Sequence, residues 1–370
     1  MKTELYHALS KLHLGAGVYP VVRMGCRPCP LPPAEEASAF LHTLSKREKS
    51  GCIADKLYEN RKEYDLDLIV PVYNVKDYLA QCLDSVLNQK TKYRIRVICV
   101  EDGSTDGTDK ILSKYETDSR VMVIRQKNSG PSAARNRALR HRSCRYLTFL
   151  DSDDYLSEGA IDSLLDAAYG HDADLVYGGY VKFGRGGKII SRVPTKEGPV
   201  SDSYSIPGFP FAKIIRAELF DGIRFPEGFL FEDTMMRQIV YRRARTIYAV
   251  SGTIYWYRKN PGGISLGARR SNQSADSVLV YDQIERDSRT LGFPCDQAEY
   301  ESFLEHAKLA QFRMRNLKPS VQKAGFSVWC GMMRRSYAGF RTEKERMRDL
   351  EQALISGNFN LFQAFCVLIQ

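Results

Sequence analysis

No apolar run in the 370-residue chain reaches the roughly 18 residues that a membrane-spanning helix requires. The opening stretch, MKTELYHALSKLHLG, also lacks the long apolar core of a secretory signal. Together these absences give the expectation that the protein stays in the cytoplasm. A disulfide framework is missing as well, because the nine cysteines are odd in number and scattered, which agrees with a reducing compartment. The one close pair, Cys26 and Cys29 in CRPC, has no second pair or neighbouring histidines at zinc-ligand spacing. Nor does it open a helix after a strand, as a thiol-redox motif would. No internal repeat or low-complexity segment stands out.

What is present is a globular composition, with 43% hydrophobic and 26% charged residues. The length allows one large domain with extensions, or two domains. A formal net charge of +10 invites a search for an anionic partner. Much of the excess lies late: between Glu305 and Glu343 no acid occurs, while Lys308, Arg313, Arg315, Lys318, Lys323, Arg334, Arg335 and Arg341 intervene. Aromatic and apolar residues are interleaved with them, as in FSVWCGMMRRSYAGF. That pattern fits either peripheral contact with an anionic membrane or an ordinary solvated helical face.

Residues 1–62 form an uneven leader with a Cys/Pro-rich patch, an accessory segment of no evident use. From Asp65 the character changes. DLDLIVPVYN is an apolar run of strand length stopped by a turn, and the stretch after it carries Leu79, Cys82, Leu83, Val86 and Leu87 at helical spacing. YRIRVICV, RVMVIRQ and RYLTFL follow as strands. STDGTDKILSKY, GPSAARNRALRHR and SEGAIDSLLDAAY alternate with them as helices, Pro131 sitting well in a first turn. Such alternation predicts an α/β fold whose mostly parallel central sheet is flanked by helices. Later, ADLVYGGYVKF and GGKIISRV read as a strand pair, FEDTMMRQIVYRRA as a helix, and TIYAVSGTIYWYR as one or two strands. From about Ser274 the pattern is helical, giving domains at 63–265 and 266–370.

In parallel sheets ligands bind at the carboxyl ends of the strands, and the unusual polar clusters PVYN, EDGSTD, QKNSGPS and DSDD all fall there. Asp151 and Asp153, one residue apart after a strand, point to the same side of an extended segment. They can face one hard divalent cation such as Mg2+ or Mn2+, or the diphosphate bound to it; acids that merely suit the loop and the following helix start are the plainer alternative. Asp102 can accept from a base N–H or a sugar hydroxyl, Gly103 permits a tight turn, and both also suit a turn with no ligand. Tyr73 offers a ring for a nucleobase to stack on, or simply packs. Arg135 lies one turn into the helix that opens at Gly130-Pro131, where an anion is already favoured. Glu232 and Asp233 begin a predicted helix, as caps or as catalytic acids.

Taken in order, LIVPVYNVKDYLAQCLDSVLNQ, VICVEDGSTDGTDKIL, VIRQKNSGPSAARNRAL and YLTFLDSDDYL resemble the family 2 glycosyltransferases of the GT-A fold. RFPEGFLFEDTMM and YWYRKNPGGIS resemble the acceptor half, particularly among bacterial enzymes of capsular and extracellular polysaccharide synthesis. The likeness covers roughly residues 65–265. It implies an inverting transfer from a nucleotide-sugar, commonly a UDP-sugar, to a hydroxyl of a saccharide or lipid-linked acceptor. It further implies that Pro71, Tyr73, Asp102, Gly103, Arg135, Asp151 and Ser152 hold the nucleotide-sugar, that Asp151 and Asp153 hold a divalent metal (Mn2+ or Mg2+), and that Asp233 is the general base. Glu101 stands where aspartate is common, and GFPFAKIIR is less polar than its counterparts.

Two other readings compete with an enzyme. One is a catalytically idle sugar-nucleotide-binding component of a polysaccharide assembly complex, which the intact DSDD and FED motifs oppose. The other is a nucleic-acid binder, suggested by the charge and opposed by the acidic crevice loops.

Overall fold

A computed structural model of the chain describes residues 15–45, 47–54, 59–260, 262–263 and 271–369. The chain divides into two compact units. One comprises Lys49–Gly228 and Glu232–Gly263, the other Met1–Glu48, Phe229–Phe231 and Ile264–Gln370. The expected boundary at residue 265, and Pro261 and Ser265 of the YWYRKNPGGIS stretch, lie outside the described residues.

The first unit is built on a single sheet. Strands β1 (Tyr64–Val72), β2 (Ile95–Glu101), β3 (Val121–Arg125) and β4 (Cys144–Phe149) are all parallel, in the order β3-β2-β1-β4. Leu66, Leu68, Ile69, Val70 and Val72 of β1 are buried, as a strand covered on both faces requires. The helix Leu79–Leu87 buries Leu79, Cys82, Leu83 and Val86 against this sheet, the face that the spacing predicts.

Beyond β4 the sheet changes direction. Strand β9 (Lys213–Arg216) runs antiparallel between β4 and β6 (Leu175–Phe183), and the long bulged β10 (Ile247–Arg258) lies parallel to β6. Strand β7 (Ile189–Val193) forms the expected hairpin with β6, and the two-residue strands β5 (Tyr155–Leu156) and β8 (Gly198–Pro199) pair with β10. Gly179 is required where β6 meets the bulge, because a Cβ there would lie 2.7 Å from the Gly252 carbonyl and 2.8 Å from that of Val193.

The predicted helix over FEDTMMRQIVYRRA is replaced by a π-helical turn, Met236–Val240, running into a 3₁₀ turn, Tyr241–Arg243. Met235, Met236, Gln238, Ile239, Val240 and Tyr241 are all buried. Residues buried on every side leave no solvent face to set an α-helical period.

The second unit is helical, with Asp276–Thr290, Gln297–Met314, Pro319–Ser336, Arg348–Ser356 and Phe359–Leu368 around a core of Tyr281, Tyr300, Phe303, Trp329 and Tyr337. The sequence sets residues 1–62 apart as a leader, whereas here the helices Gly15–Met24 and Ala34–Thr43 join this unit. The Tyr19 hydroxyl donates to Asp349, and the side chains of Asn358 and Asn360 donate to the carbonyls of Cys26 and Arg27. Part of the late positive charge is internal: Arg335 pairs with Asp282 and Glu285. Residues 49–54 belong instead to the sheet unit, with Ile53 bridging Ile223.

Asp67 sits at mid-strand in β1 with 0% exposure and accepts from the Arg96 guanidinium at 2.8 and 2.9 Å and from the Ser143 N–H at 2.8 Å. Removing one partner leaves an uncompensated buried charge, so Asp67→Ala should cost about 3–5 kcal/mol of unfolding free energy. Urea denaturation measures this, and an unchanged midpoint would show that the ion pair carries no stability.

Candidate active site

Because β3, β2, β1 and β4 are parallel and adjacent, their four carboxyl-terminal loops share one edge, and side chains stitch each loop to the next. Between the β1 and β2 loops, the Asn74 N–H donates to Ser104, the Asn74 side chain accepts from the Thr105 N–H, and Asp106 accepts from the Lys76 N–H. Between the β2 and β3 loops, Asp102 accepts from the Gln126 side chain and from the N–H groups of Ser129 and Gly130, all at 2.8 Å. Asp102 is therefore buried and shapes the pocket wall. Glu101 accepts from the N–H groups of Gly103 and Ser104. Gly103 has φ +75°, and a Cβ there would meet the Asn128 amide at 3.0 Å, so only glycine suits this turn. Tyr73 stands 45% exposed at the end of β1, while Pro71 and Ser152 lie deeper.

After β4 come three crowded carboxylates. Asp154 accepts from the Tyr255 hydroxyl at 2.7 Å and the Arg258 N–H at 2.6 Å, and Asp153 accepts from the Asn260 side chain at 3.0 Å. Burial, and then repulsion from Asp151, raises the Asp153 carboxyl above its ordinary range; burial and both neighbours raise Asp154 further. The Arg258 guanidinium donates to the Asp153 carbonyl and to Gln81. Nothing in local spacing announces Tyr255, Arg258 or Asn260, which reach this loop from about a hundred residues away.

Arg135 joins this loop to the acceptor half. Its guanidinium donates to Asp151 at 3.0 Å and to Glu232 at 2.6 Å, and it lies over the Phe225 ring. Burial works against its charge, but the two carboxylates outweigh that and hold the guanidinium more firmly protonated than usual. The adjacent Asn136 exchanges hydrogen bonds with the backbone of Phe225 and donates to Glu227. One helix, Pro131–Leu139, thus anchors both the start of RFPEG and the FED turn.

The sequence treats Arg135 as a nucleotide ligand and Glu232 as a cap or a catalytic acid. The structure brings them together with Asp151, whose side chain is 32% exposed, as a triad around one buried guanidinium, with Asp233 next in the chain. Phe231, just before the pair, has φ +66°, a conformation bulky residues rarely adopt. The electrostatic influence of Asp233 reaches the hydroxyl of Tyr257, which also feels Asp154, Asp151 and Asp153; burial and these acids push it up to about 12. Tyr257 therefore marks the ground between the DSDD loop and Asp233.

Among the described residues no three metal-ligating side chains cluster together. Asp151 gives one oxygen to Arg135 and Asp153 one to Asn260, and the second oxygen of each has no protein partner among the described residues. Two hard oxygen donors whose mutual repulsion raises Asp153 fit a divalent cation that takes few protein ligands and completes its shell from phosphate oxygens.

The family model for glycosyl transferase family 2 matches residues 67–231. Glycosyltransferase GlyG of Streptococcus pneumoniae is 30% identical over 238 residues, covering 58% of this chain and 78% of that protein. The chain belongs to glycosyl transferase family 2. Glycosyltransferase GlyA of the same organism is 33% identical over 219 residues, 54% of this chain, but only 31% of its own length is spanned. Among solved structures, S. aureus TarS residues 1–349 in complex with UDP-GlcNAc superposes with a TM-score of 0.64 at 21% identity, covering 81% of this chain and 89% of that one. The likeness to TarS is one of fold, and the family's GT-A architecture accounts for the parallel half-sheet, its loop edge and the antiparallel strand β9.

Glu232→Ala would leave Arg135 with a single carboxylate. The expected loss is about 3 kcal/mol, seen as a lowered melting temperature, with a smaller loss in Glu232→Gln. Equal melting of both variants and the parent would show that the triad does not hold the turn.

Proposed function

We propose that this chain is an inverting glycosyltransferase, moving a sugar from a UDP-sugar to a hydroxyl of a saccharide or lipid-linked acceptor in cell-surface polysaccharide synthesis. The observation that carries this reading is the Arg135 triad, which ties the DSDD loop and the Glu232-Asp233 turn to one guanidinium. UDP as the nucleotide is supported by the TarS complex. The polysaccharide setting rests on the motif resemblance to capsular and extracellular polysaccharide enzymes.

On this reading Tyr73 stacks on the base, and Pro71, Asp102, Gly103 and Ser152 form the walls around the nucleotide. Arg135 acts by positioning Asp151 and the catalytic turn. Asp151 and Asp153 would hold a Mg2+ or Mn2+ ion, which when bound supplies positive charge against the leaving diphosphate. The acceptor hydroxyl is a poor nucleophile at neutral pH, and Asp233 takes its proton as the oxygen attacks the anomeric carbon. The new carbon–oxygen bond forms opposite the breaking one, whose electron pair departs with the diphosphate. Attack from that side inverts the anomeric centre.

A panel of UDP-, GDP- and dTDP-sugars, assayed with Mn2+, Mg2+ and chelator, tests donor and metal together. Asp233→Asn is expected to lower turnover by about 10²–10⁴-fold while UDP affinity stays unchanged. Full turnover in that variant would exclude Asp233 as the base, and UDP binding without turnover in the parent protein would favour the idle assembly component.

Peripheral contact with anionic membrane belongs to the same reading, since lipid-linked acceptors are presented there. Lys318, Arg334 and Arg341 are exposed, whereas Phe326, Trp329, Met332 and Met333 are buried, so the contact would be electrostatic rather than insertive. Among the described residues no helix is long and apolar enough to cross a membrane. Co-sedimentation with phosphatidylglycerol vesicles, lost at high salt, is the expected result, and its absence at low salt removes this element.

A further inference from the structure

The segment GFPFAK, unusually apolar for its place, assembles with the turn that follows Asp233. Phe209 and Phe211 stack face to face at 4.8 Å and 3°, and Phe211 stacks in turn on Tyr255 and on Tyr257. This slab begins at Tyr255, whose hydroxyl is fixed on Asp154, and ends at Phe209, which is 36% exposed. The Phe209 carbonyl accepts from the Tyr241 hydroxyl at 2.6 Å, and Tyr241 lies within electrostatic reach of both Asp233 and Arg237.

Two cations border the slab. Lys213 is 2% exposed, and its ammonium donates to the Phe211 carbonyl at 3.0 Å and lies over the Tyr241 ring. Arg237, one turn beyond Asp233, is half-buried beside Gly208 and donates to the Ile206 carbonyl at 2.8 and 3.2 Å. Among the described residues neither has a carboxylate partner. Burial, and then the nearby Arg237, lowers the Lys213 ammonium to about 7. A buried cation with only carbonyl partners, set beside a guanidinium, is uncompensated until an anion arrives.

We propose that Phe209, Arg237 and Lys213 form an acceptor subsite for a sugar unit that carries an anion, a carboxylate or a phosphate. The inference rests on the transferase reading above. The exposed Phe209 face offers its negative quadrupole to the C–H groups on the flat side of a sugar ring. The Arg237 fork matches the two oxygens of a carboxylate or phosphate. Lys213, beneath, adds charge without reaching solvent. The location beside Asp233 is where an acceptor must sit for its hydroxyl to meet the base.

The test is calorimetric titration of the protein, loaded with UDP and Mn2+, with methyl β-D-glucoside, methyl β-D-glucuronide and glucose 6-phosphate. At least one charged probe should bind about tenfold more tightly than the neutral glucoside. Whether the glucuronide or the phosphate gains more tells a uronate acceptor from a phosphorylated one. Arg237→Gln should abolish the preference, Arg237→Lys should keep part of it, and Phe209→Ala should weaken all three probes alike. UDP affinity, measured first for every variant, reports folding and the donor site. Should Arg237→Gln lose UDP, Arg237→Lys and Phe209→Ala carry the comparison. Normal UDP binding with no charge preference, or with a preference that survives in Arg237→Gln, overturns the subsite while leaving the transferase reading intact. Failure of the parent protein to bind UDP overturns both.

Discussion

Everything at the site hangs on one buried guanidinium. Arg135 loses its hydration in the folded chain and recovers that loss only where two carboxylates meet it at hydrogen-bonding distance. Asp151 comes from the loop that follows β4 and Glu232 from the turn that carries Asp233. Neither segment can relax without leaving a charge stranded in low dielectric. The requirement is mutual, since Asp151 unpaired would add repulsion to the burial that already raises Asp153 and Asp154. The Glu232-Asp233 turn, with Phe231 at positive φ and no regular α-helix after it, thus acquires a fixed position from electrostatics rather than from secondary structure.

The α/β half was legible because its signals are local. Each strand of β1 to β4 is a short apolar run closed by polar turn residues, the helices Leu79–Leu87 and Ala160–Gly170 show their buried faces at the right spacing, and polar loops follow the strands directly. What the sequence did not disclose depends on contacts between distant segments. Strand β9 could not be told from a loop, because its four residues are defined only by insertion between β4 and β6. The turn after Asp233 read as a helix because no breaker interrupts TMMRQIVYRR, and the burial of Gln238 among its apolar neighbours is visible only in the fold. Asp102 and Arg135 stand out in the sequence by their place in the loops, yet their partners, Gln126 and the Ser129 and Gly130 amides for one and Glu232 for the other, lie 24 to 97 residues away.

Charge is partitioned with the same economy. The crevice loops gather acids that tolerate one another only through Arg135, Arg258 and Asn260, while the late basic excess is partly consumed inside the helical unit, where Arg335 answers Asp282 and Glu285 and Arg289 answers Glu285 and Glu299. Such pairing leaves the net figure of +10 unchanged, because each pair removes one charge of either sign. The cations that stay outside such pairs, Arg237 and Lys213 among them, are the ones whose surroundings call for explanation.

The helical unit gathers the first 48 residues and the last hundred. On the ribosome Tyr19 emerges long before Asp349, its hydrogen-bond partner 330 positions later. At ordinary elongation rates that interval is about 15 to 65 s. Through it the amino-terminal helices exist without the surface they pack on, while the sheet unit between them can already close. The order of synthesis thus makes the amino-terminal helices and the late helices of the helical unit the last to find each other. A chain cut short before Asn358 and Asn360 would strand its own beginning as well as lose its end.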